Sequence, residues 1–231
     1  MHKIPKVSFV IPALNEEESI DFVIRDIPKD FVREIVVVDN GSYDRTAQVA
    51  VDRGAKVVAE PIRGYGSACW RGMSALDHNT EIVVFIDADY SDYPQDLHIL
   101  LETLLSNKAD LVIGSRLLGR REKGALLPQA IIGNKLAVFL IRLFYGFQYT
   151  DLGPFRAIRY DALMGLGMRD RGFGWTVEMQ IRAIQKGLRV VEVPVRYRKR
   201  IGTSKITGTV SGSIKAGVKI IFTIIKYSFL R

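Results

Sequence analysis

Cysteine is nearly absent from this chain of 231 residues, since Cys69 is the only one. A single cysteine excludes a disulfide within the chain and a metal site built from cysteines, and it fits a reducing compartment. No run of about 20 uninterrupted apolar residues occurs, so no membrane-spanning helix is expected. The residues Met1–Val7 lack the pattern of a signal peptide. These features together predict a cytoplasmic protein.

The common phosphate-binding glycine sequences are also missing. No GxxxxGK[ST] sequence occurs, and Pro12–Asn15 follows the first predicted strand where a dinucleotide-binding protein would have GxGxxG. Kinase-like and NAD-dependent functions are therefore disfavoured. The turn Arg63–Gly66 opens a helix, so its main-chain amides could bind phosphate. Metal-binding spacing is absent from the three histidines, His2, His78 and His98.

Positive charge is in excess, because 33 lysines and arginines face 25 acidic residues and give a net charge of +8. A basic protein suits anionic partners, such as phosphates, nucleic acid or an acidic membrane surface. Nucleic-acid binding would rest on this charge alone, without a recognised motif, and we expect no nucleic-acid partner. The 48% of hydrophobic residues is typical of a globular chain of one α/β domain.

Short apolar runs alternate with helical patterns through the first half of the chain. Continuous apolar runs, rather than alternating ones, indicate strands covered on both faces by helices, and the alternation predicts a mostly parallel α/β sheet. The predicted strands are Val7–Ile11 (stopped by Pro12), Ile35–Val38, Lys56–Ala59, Ile82–Ile86 and Leu111–Ile113. The predicted helices run from the capping box Asn15–Glu18 to about Ile27, then over Thr46–Asp52, Ser67–Leu76 and Pro94–Ser106.

The second half of the chain is less regular. A basic loop is predicted over Arg116–Leu127 and a turn-rich segment over Thr150–Arg156. Helices are predicted over Gln129–Phe144, Thr176–Lys186 and Val210–Leu230, with a strand over Val190–Tyr197.

Acidic residues follow two of the predicted strands. Asp39 ends the second strand, and Asp87 and Asp89 follow the fourth. Parallel sheets bind ligands at the carboxyl ends of their strands, and alternate residues there place two carboxylates on one side of the chain. Carboxylate oxygens suit Mg²⁺ or Mn²⁺, which in turn suit a diphosphate. Helix capping is the alternative interpretation, most of all for Asp39.

Several segments, taken in chain order, resemble the family 2 glycosyltransferases of GT-A fold. They are Val10–Glu16, Val38–Ser42, Asp44–Thr46 and Asp87–Asp89. Later segments are similar to the branch of dolichyl- or polyprenyl-phosphate sugar synthases, namely Gly114–Arg116, Asp151–Arg156, Trp175–Met179, Glu192–Pro194 and Arg200–Lys205. The resemblance covers about Lys6 to Lys205. It implies a GT-A catalytic domain over residues 1–205, followed by an amphipathic helix over residues 206–231.

The resemblance also implies roles for single residues. The nucleotide pocket would be lined by Pro12, Ala13 and Glu16, with Asp39 contacting the base. Asp87 and Asp89 would hold the Mg²⁺ or Mn²⁺ ion and the diphosphate, and Asp151 would lie beside the reacting sugar. The donor phosphates would be contacted by Arg116 and, on a closing loop, by Arg200, Ser204 and Lys205.

The sequence departs from the family pattern in places. Ser91 stands where the family often has a glutamine that helps to hold the ion, and Asp92 is a candidate to compensate. The segment Gly153–Arg156 replaces the usual Ser-Gly-Phe-Arg. These differences affect the expected acceptor more than the expected donor.

The implied reaction is transfer of a hexose, with inversion, from a nucleotide diphosphate sugar of the UDP-glucose or GDP-mannose type to a polyprenyl phosphate. Asp89, Asp151 and Glu178 are the candidate catalytic residues. A hydroxyl acceptor would need a general base, for which Asp151 or Glu178 is available, whereas a phosphate is already anionic. A soluble hydroxyl acceptor is the alternative. A nucleotidyltransferase, or a nucleotide-sugar-binding protein without transfer, is a weaker one.

The C-terminal helix is predicted to be amphipathic. Lys215, Lys219 and Lys226 fall on one face, and the apolar residues Ile214, Val218, Ile221, Phe222, Ile225 and Phe229 fall largely on another. Such a helix suits the surface of an anionic membrane, with the protein bound peripherally on the cytoplasmic face. It equally suits packing on this domain or on a second subunit in a homodimer.

Overall fold

Seven strands form one central sheet in the computed structural model, which describes residues 5–106, 108–203 and 210–229. The strands are β1 (Val7–Ala13), β2 (Val32–Asp39), β3 (Lys56–Ala59), β4 (Ile82–Phe85), β5 (Leu111–Ser115), β6 (Arg156–Arg159) and β7 (Val190–Pro194). Their order across the sheet is β3-β2-β1-β4-β6-β5-β7. Only β6 among these strands runs antiparallel to its neighbours. The predicted mostly parallel α/β sheet is therefore confirmed.

Helices cover both faces of this sheet. They are α1 (Ile20–Asp26), α2 (Thr46–Asp52), α3 (Tyr65–Ser74), α4 (Leu97–Leu105), α5 (Pro128–Tyr145), α6 (Tyr160–Leu166), α7 (Trp175–Gln185) and α8 (Val210–Ser228). One apolar cluster joins the sheet to α1, α2 and α4, and a second joins it to α3, α5, α6, α7 and α8. Phe9 and Ile11 point into the first cluster and Val10 into the second, which explains why β1 is apolar at successive positions.

The strand β1 continues through Pro12, where the sequence predicted a stop. Pairing with β4 ends at Val10, while pairing with β2 extends to Ala13. Pro12 has no main-chain N–H, and its place beyond the last residue paired with β4 means that no bond to β4 is lost there. The extension carries Pro12 and Ala13 to the edge where ligands bind.

The first helix begins later than the predicted capping box. Asn15 has a left-handed φ of 53°, and α1 starts at Ile20. Asn15 instead connects two loops, because its N–H donates to Ser42 Oγ at 2.9 Å and its Oδ1 accepts from the Tyr43 N–H at 3.0 Å. The N–H of Glu16 likewise donates to Thr46 Oγ1 at 2.8 Å. These long-range bonds outweigh the local capping preference.

The segment predicted as turn-rich continues into β6 and α6, which the sequence interpretation missed. The strand β6 has only four residues and lies between β4 and β5. Its first residue, Arg156, is 1% exposed and donates to main-chain carbonyls of Gly153 and Thr176. A short strand that begins and ends with arginine has no apolar pattern to reveal it.

The remaining predicted elements match the structure to within a few residues at their ends, although β7 ends at Pro194 instead of Tyr197. Within the described ranges, no helix is long and apolar enough to cross a membrane. The helix α8 packs on α5 and α7, with Ile224 and Tyr227 buried in the second cluster.

Candidate active site

A cleft of about 360 Å³ lies at the carboxyl ends of β1, β2 and β4. Ligands bind at this edge in open parallel sheets, because loops from neighbouring strands meet there. The cleft is lined by Pro12, Ala13, Leu14, Glu16, Asn40, Arg63, Gly64, Tyr65, Ala68, Asp87, Ala88, Asp89, Gly172, Phe173 and Arg200. Six of the predicted site residues are in this set, namely Pro12, Ala13, Glu16, Asp87, Asp89 and Arg200.

Asn40 forms part of the cleft wall, and the sequence interpretation did not single it out. Its Nδ2 donates to the carbonyls of Glu60 at 2.8 Å and Ile62 at 2.9 Å, and its Oδ1 accepts from the Gly64 N–H at 2.8 Å. These bonds hold the segment after β3 against the end of β2. In the sequence, Asn40 could have been recognised as a site residue from its position directly after Asp39, the acid that ends β2.

Asp39, predicted to contact the base, lies beside Asn40 at the end of β2. Its Oδ1 accepts the N–H of Ser42 at 3.0 Å, so the carboxylate shapes the turn after the strand. Among the described residues the cleft lining includes Asn40 but not Asp39. This bond forms a turn and does not cap α2, which begins at Thr46, so the contact of Asp39 with the base stays a prediction.

The acidic pair Asp87 and Asp89 stands where β4 ends. Tyr65 donates its hydroxyl to Asp87 Oδ1 at 3.0 Å, and Ser91 donates both its N–H (2.9 Å) and its hydroxyl (2.6 Å) to Asp89 Oδ1. Burial, followed by the neighbouring charge of Asp89, raises the pKa of Asp87 to about 7. A cation bound between the two carboxylates would therefore offset the repulsion between their negative charges.

Arg200 supplies the positive charge that this pair meets in the cleft. Its guanidinium contacts Glu16 Oε1 at 2.7 Å and Asp89 Oδ2 at 3.0 Å, so it bridges the loops after β1 and β4. The Ile201 N–H also donates to the Asp89 carbonyl at 3.0 Å. Ser204 and Lys205, the other predicted phosphate-binding residues of this loop, lie outside the described residues.

The acidic pair fits a divalent cation with few protein ligands. Among the described residues no group of three or more His, Cys, Asp or Glu side chains is arranged to hold a metal. Mg²⁺ is commonly held by one or two carboxylates and completed by water and substrate phosphates. Asp87 and Asp89 match that arrangement. Ser91 is bound to Asp89, and Asp92 is buried with no hydrogen-bond partner for its carboxylate within the described residues.

Asp151 and Arg116 form a buried ion pair instead of lining the cleft. Arg116 donates its main-chain N–H (2.9 Å) and its Nε (2.7 Å) to Asp151 Oδ2, and its Nη2 (2.7 Å) to Asp151 Oδ1. Its guanidinium also lies 5.2 Å from the centre of the Tyr197 ring. Glu192 accepts the main-chain N–H groups of Thr150 and Asp151. The carboxylate of Asp151 is thus fully engaged, and it is 0% exposed.

Glu178, the other candidate base, is also buried and is not among the residues that line the cleft. Its carboxylate accepts hydrogen bonds from the main-chain N–H groups of Arg169 and Asp170, from Arg182 Nε at 2.7 Å and from the Tyr227 hydroxyl at 2.6 Å. The residues that it holds lead directly into Gly172 and Phe173 of the cleft lining. Through these hydrogen bonds, Glu178 positions that wall of the cleft.

The amides at the start of α3 do not face the cleft as free phosphate ligands. The N–H of Gly66 donates to the Gly172 carbonyl at 3.1 Å, and the N–H of Ser67 donates to the Arg171 carbonyl at 2.9 Å. A Cβ at Gly66 would lie 2.2 Å from the Asp170 carbonyl oxygen. Gly66 therefore allows the neighbouring loop to approach closely. The expectation that the amides of Arg63–Gly66 bind phosphate is wrong for Gly64 and Gly66, whose N–H groups donate to Asn40 Oδ1 and to the Gly172 carbonyl.

Comparisons with known proteins agree on one kind of protein. The family model Glycosyl transferase family 2 matches residues 8–166, more than half of the chain. An uncharacterized glycosyltransferase of Mycobacterium tuberculosis is 42% identical over 212 residues, covering 91% of this chain and 94% of the relative. The undecaprenyl-phosphate mannosyltransferase of Micrococcus luteus is 31% identical and covers 92% of both chains.

A solved structure has a similar fold. Glucosyl-3-phosphoglycerate synthase from Mycobacterium tuberculosis, in complex with Mn²⁺, uridine-diphosphate-glucose and phosphoglyceric acid, superposes with a TM-score of 0.78 at 25% identity. The match covers 97% of this chain and 80% of that one.

Proposed function

The chain belongs to glycosyl transferase family 2, and we propose that it transfers a hexose from a nucleotide diphosphate sugar to a polyprenyl phosphate. The transfer would invert the configuration at the anomeric carbon. The donor is of the UDP-glucose or GDP-mannose type, and the reaction uses Mg²⁺ or Mn²⁺. The proposal rests chiefly on one observation: the acidic pair Asp87 and Asp89 shares a cleft with Arg200, 3.0 Å from Asp89. A metal-bound diphosphate needs both signs of charge in one place.

The cleft offers separate regions for the parts of the donor. The nucleoside would lie between Pro12–Glu16 and the wall formed by Asn40 and Gly64, with Asp39 shaping the turn beside it. The diphosphate would lie at Asp87, Asp89 and Arg200. A divalent cation bound there would neutralise negative charge on the departing nucleoside diphosphate.

The loop that carries Arg200 would close on the donor. Binding of the diphosphate would compete for the Arg200 contacts with Glu16 and Asp89, so the guanidinium would transfer from carboxylate to phosphate oxygens. Ser204 and Lys205 follow on the same loop and are proposed to contact the phosphates as well. A closing loop of this kind excludes water from the bound donor.

The hydrogen bonds made by the two candidate bases, Asp151 and Glu178, favour a phosphate acceptor. Asp151 is held by Arg116 through three hydrogen bonds, and every acceptor bond of Glu178 is made to groups of the fold. In this proposal neither carboxylate takes a proton from an acceptor hydroxyl. A phosphate monoester has a second pKa of about 6 and is already anionic at neutral pH, so it needs no base. In this proposal Asp151 orients neighbouring groups, chiefly Arg116, and does not act as a base.

The relatives support the same acceptor without fixing it. The Micrococcus luteus relative is named as an undecaprenyl-phosphate mannosyltransferase. The Mycobacterium tuberculosis synthase, with which this chain shares its fold, was solved with phosphoglyceric acid. Transfer to a small soluble phosphorylated acid is therefore the second candidate function.

A nucleotide-release assay tests the proposed donor site. The purified protein is incubated with UDP-glucose, GDP-mannose and other donors, with Mg²⁺, with Mn²⁺ or with EDTA, and with or without a short polyprenyl phosphate. We expect release of the nucleoside diphosphate to require metal and lipid phosphate, to be lost in Asp89→Ala, and to persist in Asp52→Ala, which changes an exposed acid on α2. Failure to bind any nucleotide sugar would overturn the proposed function.

A further inference from the structure

The helices α5 and α8 each present a stripe of large apolar side chains to solvent. Both stripes have the spacing i, i+4, i+7, i+11, which places their members on one side of a helix. The residues are Ile132, Leu136, Phe139 and Leu143 on α5, and Val218, Phe222, Ile225 and the adjoining Phe229 on α8. Their exposed fractions range from 39% to 82%. Stripes of this kind ordinarily face a partner.

The two stripes belong to one surface. The opposite sides of both helices lie in the same buried cluster against the sheet, through Ala137 and Ile141 of α5 and Ile224 and Tyr227 of α8. The helices also contact each other directly, and the Tyr145 hydroxyl donates to the Ile224 carbonyl at 2.6 Å. Because the buried sides of both helices lie in this cluster, both stripes face away from it. We name this surface the α5–α8 face.

The charge on this surface has one sign. Neither α5 nor α8 contains an aspartate or glutamate, and Lys135, Arg142, Lys215 and Lys226 are exposed on them. The bias extends along the chain, since the residues after Glu192 include nine lysines and arginines and no acid. Lys219 of α8 forms an ion pair, because its Nζ lies 2.7 Å from Asp170 Oδ2.

We propose that the α5–α8 face docks on the surface of an anionic bilayer. The apolar stripes would enter the boundary between headgroups and acyl chains, and the flanking lysines and arginine would contact the lipid phosphates. A second copy of this chain fits the face less well. Symmetric contact through the same face would bring like charges together without acids to neutralise them.

Both helices of this face are connected to the candidate active site, and this part of the inference rests on the proposed function. On its inner side α5 holds the segment around Asp151, because Asn134 Oδ1 accepts from the Leu152 N–H at 2.9 Å and Asn134 Nδ2 donates to the Thr150 carbonyl at 3.0 Å. The ion pair of Lys219 with Asp170 connects α8 to the loop that supplies Phe173 of the cleft. Docking would bring a membrane-borne phosphate acceptor to the side of the protein that carries these links.

Vesicle flotation tests the docking. The whole chain is mixed with phosphatidylcholine vesicles, with or without phosphatidylglycerol, and the floated fraction gives the partition coefficient. We expect flotation with phosphatidylglycerol that weakens as salt rises. The double variant Phe139→Ser with Phe222→Ser should lower the partition coefficient at least about tenfold, because two aromatic side chains no longer enter the bilayer. Replacing Lys135 and Lys226 by Gln should abolish the preference for phosphatidylglycerol.

A matched control separates docking from a general loss of apolar surface. Phe31 directly precedes β2 and Leu105 ends α4, so both lie outside the α5–α8 face, and they are 40% and 45% exposed. Phe31→Ser with Leu105→Ser should therefore float like the parent protein. Sedimentation analysis without lipid tests the alternative occupant of the face, which is a second copy of this chain. A dimer that dissociates in the Phe139→Ser, Phe222→Ser variant, or absence of flotation with phosphatidylglycerol vesicles, would overturn the proposal.

Activity with a short, water-soluble prenyl phosphate distinguishes failure of the docking proposal from failure of the proposed function. Transfer to that acceptor without any flotation would leave the function standing and overturn the docking. Flotation that follows the predicted pattern without transfer to any lipid phosphate would support the docking and overturn the polyprenyl phosphate acceptor.

Discussion

At the scale of single residues, the site is governed by carboxylates that differ in what neutralises them. Asp151 and Glu178 each accept hydrogen bonds from an arginine and from main-chain amides. Within the described residues, the carboxylate of Asp87 is met instead by the Tyr65 hydroxyl. Glu178 and Asp151 therefore serve as hydrogen-bond acceptors that hold parts of the fold together. The pair formed by Asp87 and Asp89 costs stability until a cation arrives.

Replacing Glu178 by Gln should destabilise the protein without removing a base. The side-chain amide would direct an N–H₂ group toward the donors that now reach the carboxylate, leaving Arg182 without its counter-ion. We expect a loss of about 3 kcal/mol in the free energy of unfolding, measured with urea. The exposed Glu102→Gln on α4 should change it by less than about 0.5 kcal/mol. A kcat that loses one limb of its pH profile, with unfolding unchanged, would instead make Glu178 a base.

Replacing Asp87 by Asn should stabilise the metal-free protein at high pH. The pKa of Asp87 rises from 3.8 to about 7 on folding, so between these values the folded state binds more protons than the unfolded state. The free energy of unfolding therefore falls as the pH rises through this window, and the contribution of Asp87 to it becomes constant above about pH 7. With EDTA present, the gain from Asp87→Asn should be on the order of 2 kcal/mol larger at pH 8 than at pH 4.

Asp52→Asn, at an exposed position on α2, is the control for this measurement. Its effect on unfolding should not change over the same pH range by more than about 0.5 kcal/mol. Adding Mn²⁺ should narrow the difference between the parent protein and Asp87→Asn, because metal binding stabilises only the parent's acidic pair. An effect of Asp87→Asn that is independent of both pH and metal would contradict the account.

At the scale of elements, the cleft depends on a close approach between the start of α3 and the loop before α7. Gly64 and Gly66 allow this approach, since a Cβ on either would lie 2.2 Å from a carbonyl oxygen of Arg171 or Asp170. The same loop is fixed from its other side by Glu178 and contributes Phe173 to the cleft. The wall of the cleft is thus a packing arrangement between distant parts of the chain.

Replacing Gly66 by Ala should separate this loop from α3. We expect a loss of about 2 kcal/mol or more in the free energy of unfolding, together with weaker nucleotide binding by calorimetry, because main chain must move. Gly165 on α6 provides the matched control, since nothing lies within 4 Å of its added Cβ. Gly165→Ala should stabilise the protein by about 0.5 kcal/mol through helix propensity. Equal effects of the two substitutions would contradict the proposed close packing.

The elements that the sequence predicted well are those with a strong local pattern. Continuous apolar strands indicated the parallel sheet, and the sheet rule then located Asp87 and Asp89 at its binding edge. The strand β6 could not be found in this way, because Arg156 is buried through bonds to carbonyls elsewhere in the chain. The pairing of Asp151 with Arg116, and of Glu178 with Tyr227, joins residues far apart in sequence, so no local pattern predicts that these acids are already occupied.

At the scale of the whole molecule, the fold and the comparisons confirm the resemblance to family 2 glycosyltransferases that the sequence motifs indicated. The first half of the chain supplies most of the residues that line the cleft. The second half supplies the loop with Arg200 and the buried pairs behind it. The helix α8 is part of the second apolar cluster, although the division into residues 1–205 and 206–231 sets it apart; that division stays a proposal.

Two adjacent residues of α8 test how far this helix supports the rest of the protein. Ile224 is fully buried, whereas Ile225 is 39% exposed. Ile224→Ala should lower the free energy of unfolding by about 3 kcal/mol, because it leaves a cavity in the cluster that joins α8 to the sheet. Ile225→Ala should change it by less than about 0.5 kcal/mol. A small effect at Ile224 in thermal or urea unfolding would mean that α8 is not part of the cooperative unit.

The acceptor is tested most directly by competition in one reaction. The protein, Mn²⁺ and its best donor are incubated with equal concentrations of a short polyprenyl phosphate and 3-phosphoglycerate, and mass spectrometry identifies which acceptor gains a hexose. We expect the hexosyl lipid phosphate as the main product, formed by the parent protein and not by Asp89→Ala. Hexose on phosphoglycerate alone would contradict the lipid acceptor and favour the soluble one.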